Sequence, residues 1–222
     1  MRRTWSGPCG PVSTPDVADE GRESTLPLTL CFKGARDYLQ GGDVCEAIAS
    51  MIVEQFRVPP TRFKVSCHGF LRSQPDALLR AGPGPVTEGD RVTFSCQAGD
   101  VAVNGVLRES TRAVGARRPF DEQALWSCLA GDTETVEMNG EGPWPASEVM
   151  VSMTKKLHHD RFGTQGVRWI FTRLAVDRWF VPGDSSHLRV RFRDDLHGRL
   201  TRSELWSGPE LLGSVFFSAL RS

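Results

Sequence analysis

The strongest constraint on this chain is a pattern of segments that it carries twice. The first copy runs GGDVCEAIASMIVEQF, RFKVSCHGF, EGDRVTFSC and NGVLRES; the second runs SEVMVSMTKKLHHDRF, RWIFTRLAV, PGDSSHLRVRF and HGRLTRSE. Phe56 and Phe162, Arg62 and Arg168, and Phe63 and Trp169 each lie 106 positions apart. Gly89-Asp90 and Gly183-Asp184 lie 94 apart, Gly105 and Gly198 lie 93 apart, and the shortfall of 12 implies one insertion in the first copy, around Pro75 to Pro85. A unit repeated in this way predicts one scaffold built twice, with the seam between the copies as the place for a site.

At 222 residues the chain is long enough to bury a substantial core. Its 27 basic residues balance 27 acidic ones, which argues against a broad surface for nucleic acid or anionic membrane. The basic pairs Arg117-Arg118 and Lys155-Lys156 read as solvated faces. No apolar run is long enough to span a bilayer. Arg2 and Arg3 are followed by no apolar stretch before the acidic run from Asp16 to Glu20, so no secretory signal is expected and the compartment expected is the cytoplasm. The six cysteines, at 9, 31, 45, 67, 96 and 128, show no paired spacing. They predict buried thiols in a reducing environment and no metal site.

Residues 1–25, rich in Gly, Pro, Ser, Thr and acids, predict a disordered arm. The first repeat is placed at 26–131 and the second at 132–222. Leu26 to Phe32 favours a strand. After the polar KGARDYLQGG, apolar residues recur with a helical period at Val44, Ala47, Ile48, Met51, Ile52 and Phe56. Asp43 is the expected N-cap and Pro59-Pro60 the stop. Phe63, Val65 and Cys67 alternate, as do Val92, Phe94 and Cys96, and Val101 to Val114 supplies one or two further strands. The LWSCLA segment between Gly115 and Asp132 fits either a strand or a short helix. In the second copy Thr133 to Met138 predicts a strand and Asn139 to Pro145 a loop. A helix follows, capped by Ser147, with Val149, Met150, Met153 and Leu157 on its buried stripe. Trp169, Phe171 and Arg173 start a sheet again, Val190 and Phe192 continue it, and a hairpin runs from Leu200 to Trp206 through Ser207-Gly208-Pro209 into LLGSVFFSAL.

A long helix wrapped by antiparallel strands, the Pro182-Gly183-Asp184 step before a long strand, and the closing LLGSVFFSAL together resemble the hotdog-fold acyl-thioester enzymes, over residues 26–222. The resemblance implies an α+β double hotdog: two tandem repeats, each with a long central helix wrapped by an antiparallel sheet. It implies an enzyme for acyl thioesters of coenzyme A or acyl carrier protein, in polyketide or fatty-acid metabolism. Coenzyme A or phosphopantetheine would enter as part of the substrate, with no separate cofactor. No nucleic-acid or membrane partner is expected, and the chain is expected as a monomer or homodimer.

In such enzymes the reacting groups lie in the loop before the central helix or on its first turns. The unpaired N–H groups and positive dipole end there polarise the thioester carbonyl. The matching segment runs from Arg36 to Asp43. Asp37, Tyr38 and Asp43 are the catalytic candidates. Gln40, Gly41, Gly42 and Val44 are the substrate-binding candidates, the glycines because they let a ligand approach the backbone. For Asp43 a capping role, and for Tyr38 plain packing, stay open beside the catalytic reading. In the second repeat Glu141 and Trp144 are candidate substrate contacts, while Glu148 suits the helix dipole. None of His68, His158, His159, His187 or His197 falls in a pre-helix loop, so the dehydratase pair of histidine and carboxylate is missing from its expected place. Hydrolysis or acyl transfer is therefore favoured. The alternatives are an atypical dehydratase or decarboxylase, with Tyr38 and Asp37 replacing histidine, and a non-catalytic acyl-binding protein. His158 and His159 are expected on a solvated helix end, and Cys45 as a packed thiol. The two pre-helix loops differ, RDYLQGGD against NGEGPWPASE, and the first is expected to be the working one.

Overall fold

The structure is a computed structural model that describes residues 24–81, 87–163 and 167–221. The expected N-terminal arm lies outside that description, as does Cys9, except that Ser24 and Thr25 open the first strand. The chain forms β1 (Ser24–Pro27), β2 (Phe32–Lys33) and the long helix α1 (Gly41–Phe56). Four strands follow: β3 (Thr61–Cys67), β4 (Ser73–Ala81), β5 (Asp90–Ala98) and β6 (Val101–Ala113). Next come β7 (Arg117–Arg118), the short helix α2 (Glu122–Trp126), β8 (Leu129–Gly131), β9 (Thr135–Met138) and the long helix α3 (Ala146–Phe162). The last four strands are β10 (Val167–Arg178), β11 (Leu188–Leu196), β12 (Leu200–Ser207) and β13 (Glu210–Arg221). Strands β2 and β7 pair in parallel. The others form an eleven-stranded sheet in the order β1-β4-β6-β5-β3-β10-β13-β12-β11-β9-β8. Among the described residues, no helix is long and apolar enough to cross a membrane.

In each half the strand that follows the long helix reaches the middle of the sheet. There β3 and β10 pair antiparallel, with Val65 opposite Leu174 and Phe63 opposite Val176, all four buried toward the helices. The helices meet at Gly42, where a Cβ would stand 3.0 Å from the Ser147 carbonyl oxygen. Residues 146–154 of α3 are buried on every side. Polar side chains there must be satisfied from within. Trp126 Nε1 donates to Ser152 Oγ at 3.1 Å, and Thr154 Oγ1 donates to the Met150 carbonyl at 2.8 Å.

Both helices start elsewhere than the sequence suggests. The cap of α1 is Gln40, not Asp43, and that of α3 is Pro145, not Ser147; neither cap side chain bonds the helix. The two expected caps are instead drawn into contacts between elements. Asp43 pairs with Lys33, and Ser147 Oγ donates to Glu46 Oε2 at 3.0 Å. LWSCLA begins in α2, whose cap Asp121 accepts from the amides of Gln123 and Ala124. Strand β8 pairs with β9, so residues 129–131 join the sheet of the second half.

The repeat holds for the helix ends and seam strands but not beyond. Phe56 and Phe162 end α1 and α3, and Arg62 and Arg168 sit at the starts of β3 and β10. Strand β5, however, lies beside the seam strand, whereas β11 lies three strands from the seam strand of its own half. Gly105 is inside β6, and Gly198 is a turn residue with φ of 64°. What Gly89-Asp90 and Gly183-Asp184 share is a local turn. Asp90 accepts from the Thr87 amide and from Arg108, and Asp184 accepts from the Val181 amide and from Arg178. Nor is Pro75 part of an inserted loop. It belongs to β4, which pairs with both β1 and β6, and it sits where the β4–β6 register shifts, a position that tolerates a residue with no N–H to donate.

Candidate active site at the seam

A cavity of about 280 Å³ opens where α1 begins, between the two halves. The first half supplies Tyr38, Leu39 and Gln40 from the pre-helix segment, Gly41 and Val44 from α1, and the turn from Cys67 to Leu71. The second half supplies Val151 and Lys155 from α3 and the stretch Trp169 to Thr172 from β10. A bulge between Phe171 and Arg173 makes this wall. It reverses the alternation of β10, so Trp169 and Phe171 face the cavity while Arg173 is exposed and Leu174 returns to the core. Glycine at 41 follows from the same packing, since a Cβ would stand 2.2 Å from Phe171 Cδ1. The Phe171 ring thus packs directly on the first residue of α1, and the helix N-terminus borders the cavity beside it.

The lining is mostly apolar with a few polar groups. Tyr38 packs on Phe70 with ring centroids 4.7 Å apart, and its hydroxyl accepts from Arg168 Nη2 at 2.6 Å. Among the described residues, Gln40 Nε2 and Trp169 Nε1 are buried donors with no hydrogen-bond partner. Both residues line the cavity, and unpartnered buried donors are unusual, because buried polar groups are almost always satisfied. Lys155 Nζ lies 2.8 Å from Glu122 Oε1; burial lowers its pKa and Glu122 opposes that shift. His68 sits at the rim with Nε2 3.0 Å from Thr93 Oγ1. Burial pushes the Cys67 thiol up to about 12 and the Cys45 thiol well above its ordinary value, which disfavours the thiolate that a nucleophile needs.

The sequence-derived candidates divide. Tyr38, Gln40, Gly41 and Val44 meet in this cavity. Gly42 instead serves the contact between helices. Asp37 is exposed and pairs with Arg72, outside the cavity. Asp43 is withdrawn into an ion cluster: its Oδ1 lies 2.7 Å from Lys33 Nζ and 2.6 Å from Arg118 Nη2. Lys33, only 1 % exposed, also reaches Glu148 Oε2 at 2.6 Å. Glu141 is exposed, and Trp144 packs against the core over Gly142; neither lines the cavity. His158 is not solvated but fully buried. It stacks on Trp169 at 4.6 Å with Nε2 2.7 Å from Thr201 Oγ1, and burial lowers its pKa to about 3. The residues that the sequence did not flag as site members, Lys155, His68, Phe70 and Trp169, come from other elements. Only the tertiary pairing of β3 with β10 brings them to the α1 N-terminus.

No protein-family model matches the chain, and no curated protein sequence matches it. Among solved structures, the dehydratase domain of PpsC from Mycobacterium tuberculosis, in complex with C12:1-CoA, matches with a TM-score of 0.50 and 14% identity, covering 94% of this chain and 97% of that one. A pyran synthase domain from module nine of the sorangicin pathway gives 0.49 and 11%, covering 92% and 95%. A putative thioesterase II from Thermobifida fusca gives 0.43 and 11%, covering 92% and 93%. The PpsC match, with the large antiparallel sheet and few helices, defines a hotdog-like fold.

Proposed function

We propose that this chain is a double hotdog enzyme that acts on acyl thioesters of coenzyme A or acyl carrier protein, by thioester hydrolysis or acyl transfer. The observation that carries the reading is an apolar cavity at a helix N-terminus, lined by two residues with unpartnered buried donors, Gln40 Nε2 and Trp169 Nε1. An apolar tail with one acceptor oxygen is the ligand chemistry that such a cavity lacks. The PpsC structure, solved with C12:1-CoA on a similar fold, supports a thioester as that ligand.

In this reading the thioester carbonyl accepts from Gln40 and from the Gly41 amide, which stabilises the oxyanion that forms on attack. His68, at the cavity rim, takes the proton of the attacking water or acceptor hydroxyl and returns it to the departing thiolate. The products are the carboxylic acid, or the transferred ester, and the free thiol. Tyr38 and Arg168 hold the substrate beside that carbonyl.

The test is thiol release from a panel of acyl-CoA and acyl-pantetheine thioesters. His68→Ala should lower turnover by about 10²-fold or more, and Gln40→Ala should do so with a smaller loss. Asp37→Asn should leave turnover unchanged, because its carboxylate stands outside the cavity. Turnover that is insensitive to His68 and Gln40 would remove both from the chemistry. One observation favours a second reading, a non-catalytic acyl-binding protein: among the described residues, no Asp or Glu lines the cavity. Tight binding of acyl thioesters with no product by mass spectrometry decides for it.

A further inference from the structure

The α1 cavity adjoins an outer chamber of about 300 Å³, and Tyr38, Lys155 and Trp169 line both. The two differ in chemistry. The inner one is mostly apolar, whereas Arg36, Glu122, Trp126, His159 and Arg168 stand in the wall of the outer one. The basic residues come from three places: Arg36 from the pre-helix segment, Lys155 and His159 from α3, and Arg168 from the start of β10. Only the packing of the two halves gathers them.

The charges there do not balance. Among the described residues Glu122 is the one carboxylate in the lining, and it is already shared: Arg36 Nη2 lies 3.2 Å from Oε2 and Lys155 Nζ 2.8 Å from Oε1. Arg168 forms no ion pair among the described residues. Its guanidinium lies 5.2 Å from the Tyr38 ring centroid, and Nη2 donates to the neutral Tyr38 hydroxyl. Burial is the main cause that lowers the Lys155 pKa; Glu122 opposes it, and the charges of Arg36 and Arg168 lower it further. The three cations therefore lie within one another's fields. Elsewhere arginines are matched by acids, as Arg112 is by Asp76 and Arg202 by Asp194. A surplus of cations gathered in a partly enclosed chamber is a place for an incoming anion.

We propose that the outer chamber selects acyl thioesters whose acyl chain ends in a second carboxylate, the half-thioesters of dicarboxylic acids. The proposal rests on the thioester reading of the inner cavity and names its substrate class. In that reading His68 stands beside the departing sulfur, and His68 lines the inner cavity alone. The acyl chain is left the wall of Tyr38, Lys155 and Trp169 that the two chambers share. The span fits a chain of medium length. Phe171 packs on Gly41, and Arg168 precedes Phe171 by three residues, about 10 Å of strand. The terminal carboxylate meets the planar fork of Arg168 and the compact charge of Lys155. A chain that ends in a methyl group would take water from these cations without a partner to offset the loss. The pantetheine arm, with its amides between sulfur and phosphate, is longer than this span and carries its phosphate beyond the chamber.

The experiment compares suberyl-CoA with octanoyl-CoA, equal in carbon number, and the same two acyl groups on pantetheine, which has no phosphate. The readout is kcat/KM for thiol release by the full chain, or Kd by calorimetry where no thiol is released. Suberyl should be preferred over octanoyl by about tenfold or more on both carriers. Arg168→Gln should remove most of that preference and Arg168→Lys should keep part of it. Arg168 is exposed, so the thermal midpoint of both variants should match that of the parent. Arg189→Gln, on β11, should keep the whole preference. Equal handling of suberyl and octanoyl, or a preference unchanged in Arg168→Gln, overturns the proposal and leaves the thioester reading standing. A preference for CoA over pantetheine that ignores the acyl carboxylate and is lost in Arg168→Gln gives the chamber to the carrier's phosphate, which overturns it as well. If no thioester of the set binds or reacts, the thioester reading falls and the proposal with it.

Discussion

Replacing Lys33 with methionine tests how the two helix starts are held. The Lys33 ammonium is 1 % exposed and lies 2.7 Å from Asp43 and 2.6 Å from Glu148, the first-turn acids of α1 and α3. Methionine keeps the volume and removes the charge, leaving two carboxylates whose remaining cation among the described residues is Arg118, at 2.6 Å and 3.6 Å. Removing one partner of a buried ion pair costs about 3–5 kcal/mol. Arg118 remains on Asp43, so the expected loss is at the lower end, about 3 kcal/mol, a large share of a typical stability of about 5–15 kcal/mol. With a urea slope of about 2–3 kcal/mol/M, the midpoint should fall by about 1 M or more. The assay is urea unfolding of the parent, Lys33→Met, and the triple variant Lys33→Met/Asp43→Asn/Glu148→Gln. Neutralising the stranded carboxylates should return most of the loss, because the cost is that of uncompensated charge. A Lys33→Met midpoint within error of the parent, or a triple variant no better than the single, would refute the reasoning.

Three further outcomes follow from the same contacts. Gly41→Ala places a Cβ 2.2 Å from the Phe171 ring, so it should cost about 1–3 kcal/mol by overpacking and weaken acyl-thioester binding, measured by unfolding and by ligand titration. His158 has its pKa lowered by burial to about 3, against an ordinary 6.5. Its neutral ring therefore contributes stability that is present above pH 6.5 and is lost as pH falls toward 3, and its imidazole signal by NMR should still be that of the neutral ring at pH 5. Burial raises the Glu46 pKa, although Ser147 Oγ donates to its carboxylate. Its contribution is present below the ordinary carboxylate range and lost as pH rises through the raised value, so Glu46→Gln should raise the thermal midpoint at neutral pH and change it little in acid.

The sequence carried the periodic parts of this fold and missed what depends on contact between distant segments. The stripe Val149, Met150, Met153 and Leu157 is fully buried as its spacing requires, and the hairpin through Gly208 forms as its turn residues predict. Side-chain oxygens near a helix start read as caps from sequence, but Asp43 and Ser147 had stronger partners in Lys33 and Glu46. Those partners come from β2 and from the other helix, and no local signal marks them. The Gly-Asp echo was real as turn chemistry and misleading as topology, because a turn does not say which strand its exit joins. At the site, the pre-helix segment was legible because glycines before an apolar helix are a local signal. The wall opposite was not, since the bulge at Thr172 that turns Phe171 inward and Arg173 outward breaks the alternation from which strand faces are read.

The ion cluster and the cavity explain each other. A helix N-terminus attracts whatever anion is nearest, and each long helix carries one in its first turn, Asp43 or Glu148. In the proposed function, such a carboxylate left free beside the cavity would compete with the thioester carbonyl for the amides and repel the charge that develops on it. Lys33 and Arg118 gather both acids into one buried knot between the helix starts. The side chains of the α1 start that still line the cavity are neutral: Tyr38, Leu39, Gln40, Gly41 and Val44. The two copies then differ at the residue that precedes the helix cap. Before α1 it is Leu39, next to the open cavity; before α3 it is Trp144, whose ring packs over Gly142 and against the core. Asp43, a catalytic candidate from the sequence, is thus held in the ion cluster and not at the cavity wall.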